Sequence, residues 1–145
     1  MYKIIHEVCR AICDCLQDNY INFPQNERDW LTISDGYLRE FNSPHSLGSV
    51  DIRQFVIDNP LHSGVRLKNR KKKSSMASLG ISDAYRRFNR VSIGSYGSKY
   101  DSTVFRRNSL SLASEKNELL LPPPRVLPTL NIECPFFSQQ IVDLH

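Results

Sequence analysis

Long apolar runs are missing from this 145-residue chain. No stretch approaches the roughly 20 apolar residues of a membrane helix. Met1 to Leu16 is broken up by His6, Glu7, Arg10 and Asp14, a pattern unlike a secretory leader. A cysteine framework is lacking: the four residues are Cys9, Cys13, Cys15 and Cys134, without the paired spacing of a tetrahedral zinc site or a disulfide framework. Reduced thiols in a soluble intracellular chain with no membrane partner are therefore expected. Cys9 and Cys13 stand four apart, so one helical face presents both, and burial in a core is the preferred reading over a metal pair. Acidic residues are nearly absent from one region. Residues 59–107 hold 2 Asp/Glu against 12 Lys/Arg.

Charge is thus strongly segregated. Residues 1–58 carry 5 Lys/Arg against 9 Asp/Glu, and residues 108–145 carry 2 against 4, so the three segments stand at −4, +10 and −2 within an overall +4. A middle block of that sign suits a polyanion, because phosphates neutralised by cations release condensed counterions. Within it, Arg66, Lys68, Arg70, Lys71, Lys72 and Lys73 place six cations in eight residues. A solvated loop, a nuclear-import signal and a nucleic-acid contact all fit that run.

The length suits one domain. Ile4, Ile5, Val8, Ala11, Ile12, Cys15 and Leu16 fall on one face of a helix over Tyr2 to Tyr20. Phe23-Pro24-Gln25-Asn26 interrupts it, and Asn26 can cap a second helix through Trp30, Ile33, Tyr37, Leu38 and Phe41. A loop at Asn42 to Ser46 precedes extended chain over Leu47 to Ile57, with Asp51 inside it. Two further strands are expected at Ser74 to Ile81 and Tyr85 to Ile93, joined at Ser82-Asp83-Ala84, then a glycine loop at Gly94 to Gly97 and a short helix over 101–110 capped by Ser98 or Asp101. Proline at 122, 123, 124, 128 and 135 makes the last third mostly extended or irregular. Helices followed by strands argue for an α+β or α/β layer structure, with residues 1–44 as a helical lead into a core at 45–145.

Asp51 and Asp101 are the candidate catalytic pair, the second ending a Gly-x-x-Gly-x-x-x-Asp loop. Spacing alone does not bring them together, and capping or surface aspartates are the competing reading. The words around them resemble the DDE nuclease domain of Harbinger-type transposases and the nucleases derived from them. These words are Pro44-His45-Ser46-Leu47-Gly48-Ser49-Val50-Asp51, Pro60-Leu61-His62-Ser63-Gly64 and Ile81-Ser82-Asp83-Ala84-Tyr85-Arg86-Arg87-Phe88. They continue through Gly94-Ser95-Tyr96-Gly97-Ser98-Lys99-Tyr100-Asp101-Ser102-Thr103-Val104-Phe105 and the Pro-rich run at 121–128. The resemblance extends from about Ile4 to Phe137.

That resemblance implies a ribonuclease-H-like mixed α/β fold with N-terminal helices, incomplete at the C-terminus. The strand bearing the first acid would lie beside the strand that ends near the second, with an antiparallel meander and a return between them. It implies a nuclear (alternatively cytoplasmic) DNA endonuclease that holds Mg2+ or Mn2+ through Asp51 and Asp101. Such ions require hard oxygen ligands and activate the attacking water over the phosphodiester. The basic residues at 66, 68 and 70–73 would meet the DNA.

The pattern departs in three places. Pro135-Phe136-Phe137 runs into Ser138 to His145, so Asp143 stands near the third acid without the motif around it. Ile52 replaces the glycine that follows the first acid, and Arg53-Gln54 replaces Lys-His. The helix-turn-helix DNA reader usual upstream in that family is not expected here, and a separate DNA-reading protein is the expected partner. A weak or inactive nuclease is expected, with a non-catalytic module that binds nucleic acid or a partner protein through residues 66–73 as the alternative.

Overall fold

A computed structural model describes residues 2–58, 67–127 and 131–140. Helix α1 spans Tyr2–Tyr20 and helix α2 spans Glu27–Phe41. Strands β1 (Ser46–Val56), β2 (Ser75–Ser82) and β3 (Phe88–Tyr96) follow, then short helices α3 (Asp101–Arg106) and α4 (Ser109–Glu115). Two-residue strands β4 (Arg125–Val126) and β5 (Glu133–Cys134) pair with each other, and β6 covers Phe137–Gln140. The main sheet has the order β3-β2-β1-β6, in which β1, β2 and β3 form an antiparallel meander and β6 returns parallel to β1. The chain is thus a mixed α/β structure.

The start of α2 follows from two side chains. Asn26 Oδ1 accepts the Asp29 N–H at 3.0 Å, and Asp29 Oδ2 reaches back to accept the Gln25 N–H at 3.0 Å, so two donors at the helix start are satisfied. Asn42 ends the helix in left-handed backbone at φ 51°. Tyr37 then ties α2 to the sheet. Its Oη donates to the Ser82 carbonyl at 3.0 Å and shares a 2.8 Å bond with Ser49 Oγ. At the other end of the helix the Trp30 indole donates to the Leu119 carbonyl at 2.8 Å. Helix α2 and the core therefore pack together.

The pleat of β1 sorts its residues. Val50 joins Leu79, Ile81 and Leu110 in the buried cluster, and Ile52, Phe105, Phe23 and Leu119 pack against it. Side chains alternate along a strand, so Ser49, Asp51, Arg53 and Phe55 occupy the opposite face. Helices α3 and α4, through Phe105 and Leu110, cover the Val50 face. Ile52 lies in regular antiparallel register opposite Leu79, and positive φ is not its conformation, so β1 accepts the β-branched residue without strain.

Several expectations need correction. Cys9 and Cys13 are exposed on α1, as are Ile4, Ile5, Val8, Ile12 and Leu16; the amphipathic face is real, but among the described residues it is not covered. The region 101–110 is two helices, because Asn108 Oδ1 accepts the Leu110 N–H at 3.0 Å and starts α4 anew, while Tyr100 rather than Ser98 or Asp101 occupies the cap position of α3. The expected glycine loop instead lies mostly inside β3, which runs through Gly94 to Tyr96.

The β2–β3 connection is longer than Ser82-Asp83-Ala84 and is organised by Asp83. This buried carboxylate accepts the Tyr85 and Arg87 N–H groups at 2.8 and 2.9 Å, and Arg87 Nε at 2.8 Å, while Arg86 takes left-handed backbone at φ 63°. Removing it leaves two backbone donors without their acceptor. Asp83→Ala should lower unfolding stability by about 1–3 kcal/mol in urea titrations, and Asp83→Asn, which keeps the Oδ1 acceptor, by less.

Candidate nucleic-acid interface

The basic run folds as a built turn. Asn69 organises it: its Oδ1 accepts the N–H groups of Lys71 and Lys73 at 3.0 and 3.1 Å, while its own N–H donates to the Lys73 carbonyl and its carbonyl accepts from Lys72 N, both at 2.9 Å. Lys72 at the tip takes φ 59°. Lys68 bridges to Ser74, and Ser75 N donates to the Leu67 carbonyl at 2.8 Å, which joins the base of the turn to the start of β2. The cations therefore radiate from a defined backbone. Arg66 lies outside the described residues.

Gly97 brings a second segment against this turn. Its N–H donates to the Ser75 carbonyl at 3.0 Å, and a Cβ there would stand 2.6 Å from that carbonyl oxygen and 2.9 Å from the Leu67 carbonyl oxygen. No larger residue permits that approach. Residues 97–101 are thereby laid beside residues 68–73, and between them lies a depression of about 610 Å³. Its rim carries Lys68, Arg70, Lys71, Lys73 and Lys99, with Asp101 as the acidic lining residue. Gln54 and Val56 of β1 contribute from the sheet, and Ser75 Oγ donates to Gln54 Oε1 at 3.2 Å. The Arg70 guanidinium sits 4.8 Å from the centre of the Tyr100 ring, within cation–π range. Lys72 does not line the depression. Lys99 and Tyr100 are its unforeseen members; the glycine at 97 was the available signal for them.

The two candidate metal ligands occupy different surroundings. Asp51 accepts its neighbour's Ile52 N–H at 2.8 Å and pairs with Arg53 at 3.0 Å, so its carboxylate is engaged by its own strand. It leaves β1 with Ser49 and Arg53. Asp101 lines the depression together with Gln54 and Val56, which leave β1 on the other face. The pleat thus separates Asp51 from the Asp101 side of the sheet. Nor does the strand order match the expectation: β3, the strand before Asp101, is separated from β1 by β2, and the neighbour on the other side of β1 is β6. Asp143 lies outside the described residues. Among the described residues no group of three or more His, Cys, Asp or Glu side chains is placed to hold a metal ion.

Compared with known proteins, the chain matches no family model, and no curated protein or solved structure is significantly similar to it. No described helix is long and apolar enough to cross a membrane.

This geometry makes a direct prediction for metal binding. An ion shared by Asp51 and Asp101 would stabilise the folded state in proportion to its occupancy. With the two acids on separate faces, 5–10 mM Mn2+ should shift the Tm of the wild-type chain and of an Asp51→Ala, Asp101→Ala variant by the same amount. A shift confined to the wild type would restore the shared site.

Proposed function

We propose that the chain is a non-catalytic nucleic-acid-binding module on a scaffold of ribonuclease-H-like type, with the depression between the 68–73 turn and residues 97–101 as its phosphate-binding surface. The observation that carries this reading is the convergence of Lys68, Arg70, Lys71, Lys73 and Lys99, from two distant segments, on one concavity with one acid, Asp101, in its lining. Five cations held by a turn and a glycine contact cost their mutual repulsion unless an anion neutralises them. A polyphosphate backbone does so with a gain from released counterions.

The ribonuclease-H-like ancestry draws support from the sheet: an antiparallel meander of three strands, then a parallel return beside the strand that carries Asp51. Nuclease chemistry draws less. It requires carboxylates clustered around ions, and the parity of β1 works against an Asp51 and Asp101 cluster. Mg2+- or Mn2+-dependent nicking of supercoiled plasmid is expected to be equal, at background, for the wild type and the Asp51→Ala, Asp101→Ala variant. Metal-dependent nicking lost in the variant would return the nuclease reading to first place. A nuclear location and a separate DNA-reading partner belong to the same proposal, the first through the exposed cations at 70–73.

Binding should weaken steeply with salt, with log K falling linearly in log salt concentration. Replacing Lys71, Lys73 and Lys99 together by Ala is expected to reduce the slope by about two to three, whereas Lys116→Ala, in a residue outside the depression, should leave it unchanged. Fluorescence anisotropy between 50 and 200 mM salt reads both. An unaltered slope in the triple variant would remove the depression from the contact.

A further inference from the structure

We infer that the depression takes single-stranded nucleic acid, with Tyr100 as a stacking platform for an unpaired base; this rests on the binding reading above. Tyr100 has 64% of its surface exposed although it belongs to the wall of a concavity. One side of its environment is occupied by the Arg70 guanidinium at 4.8 Å, which fixes a cation beside the ring. Most of the ring surface remains open to a ligand beside that one cation. It is the surface on which bases stack in single-strand grooves, where a positively charged track follows the phosphates and rings meet the bases.

Shape favours the same ligand. A duplex keeps its bases paired and stacked within itself, so it presents phosphates and groove edges but no free base face. A depression of about 610 Å³ lies below the rim that such a backbone would touch, and it has room for a base turned away from its strand. The lining also offers groups that phosphates do not need. Gln54 has its amide oxygen engaged by Ser75, which leaves the amide N–H donors for a base carbonyl, and the Asp101 carboxylate accepts from an exocyclic amine of the kind cytosine and adenine present. Asp101 stands in the first turn of α3, where a carboxylate is favourable, and toward a ligand it repels phosphates but can accept from a base. Tyr100 and Asp101 are adjacent in sequence, so stacking and edge recognition would act on one nucleotide.

The test compares 12-nucleotide oligo-dT, oligo-dC and oligo-rU with a duplex of equal length, by anisotropy across salt. The wild type should prefer each single strand to the duplex. Tyr100→Ala is expected to weaken single-strand binding about tenfold at every salt concentration without changing the slope, and Tyr100→Phe should restore it. The Lys71, Lys73 and Lys99 triple variant should change the slope instead. Equal loss for dT and rU identifies a platform indifferent to the sugar, and loss confined to one assigns the strand it serves. Duplex binding at least as tight as single-strand binding, or Tyr100→Ala at wild-type affinity, would overturn the inference while leaving the basic surface standing. Binding unaffected by both the tyrosine and the lysine changes would overturn the two readings together. Circular dichroism of each variant separates these outcomes from unfolding, and Tyr100→Ser serves where Tyr100→Ala does not fold.

Discussion

The two-residue period of β1 is the constraint on which the rest depends. Eight consecutive residues, Ser49 to Val56, are held in unbroken antiparallel register against β2, so each side chain has its face fixed by parity alone. Even positions supply Val50 and Ile52 to the buried cluster and Gln54 and Val56 to the depression. Odd positions supply Ser49 to Tyr37 and Asp51 to Arg53. A shift of one residue would move the whole set and expose the core-facing residues. The placement of Asp51 is therefore a consequence of core packing. It cannot be adjusted independently.

The depression has a different origin: it is made by backbone. Asn69 holds the turn, Lys72 accepts left-handed geometry at its tip, and Gly97 lets a second segment approach two carbonyl oxygens at a distance closed to any Cβ. Side chains then point outward from that frame without paying for burial, because lysine and arginine keep their heads in water. Surface ion pairs add little here. The Arg125 to Glu27 pair is about half exposed at both ends and contributes at most a fraction of a kcal/mol. Stability comes from the Val50 and Leu79 cluster, and the charged rim is free to serve a ligand.

Much of the scaffold was legible in the residues. The helix over Tyr2 to Tyr20, the Asn26 cap and the extended run at β1 follow from apolar period and local hydrogen bonding, which act within a few residues. The burial of α1 was not legible. An amphipathic pattern shows that a face suits cover and says nothing of what supplies it, and Cys9 and Cys13 are exposed for that reason. Asn108 was overlooked because a cap inside a short helical stretch competes with simple continuation, and only the bond to Leu110 decides between them. For the site, the cationic run could be read directly, whereas its meeting with Lys99 and Tyr100 depends on a glycine whose neighbours lie 22 and 30 residues earlier, at Ser75 and Leu67. Asp83, read as a joint between strands, holds the turn through three hydrogen bonds to its carboxylate that its sequence neighbours do not announce.

The resemblance to a nuclease and the geometry of the acids bear on different levels of structure. Topology is set by which strands pair, and a meander with a parallel return can persist while individual polar positions change, since apolar pattern and register carry it. Chemistry requires carboxylates within a few ångströms of common ions, and that depends on single side chains. Asp51 illustrates the separation: the strand around it is held in register by β2, while its carboxylate accepts from the Ile52 N–H and pairs with Arg53. The Arg53 pair is largely exposed at its arginine end and worth little by itself, so the side of the sheet on which Asp51 stands, rather than that pair, separates it from Asp101. The cations of the 68–73 turn and Lys99 thus gather on the face that carries Asp101, while Asp51 is hydrogen-bonded within its own strand on the other.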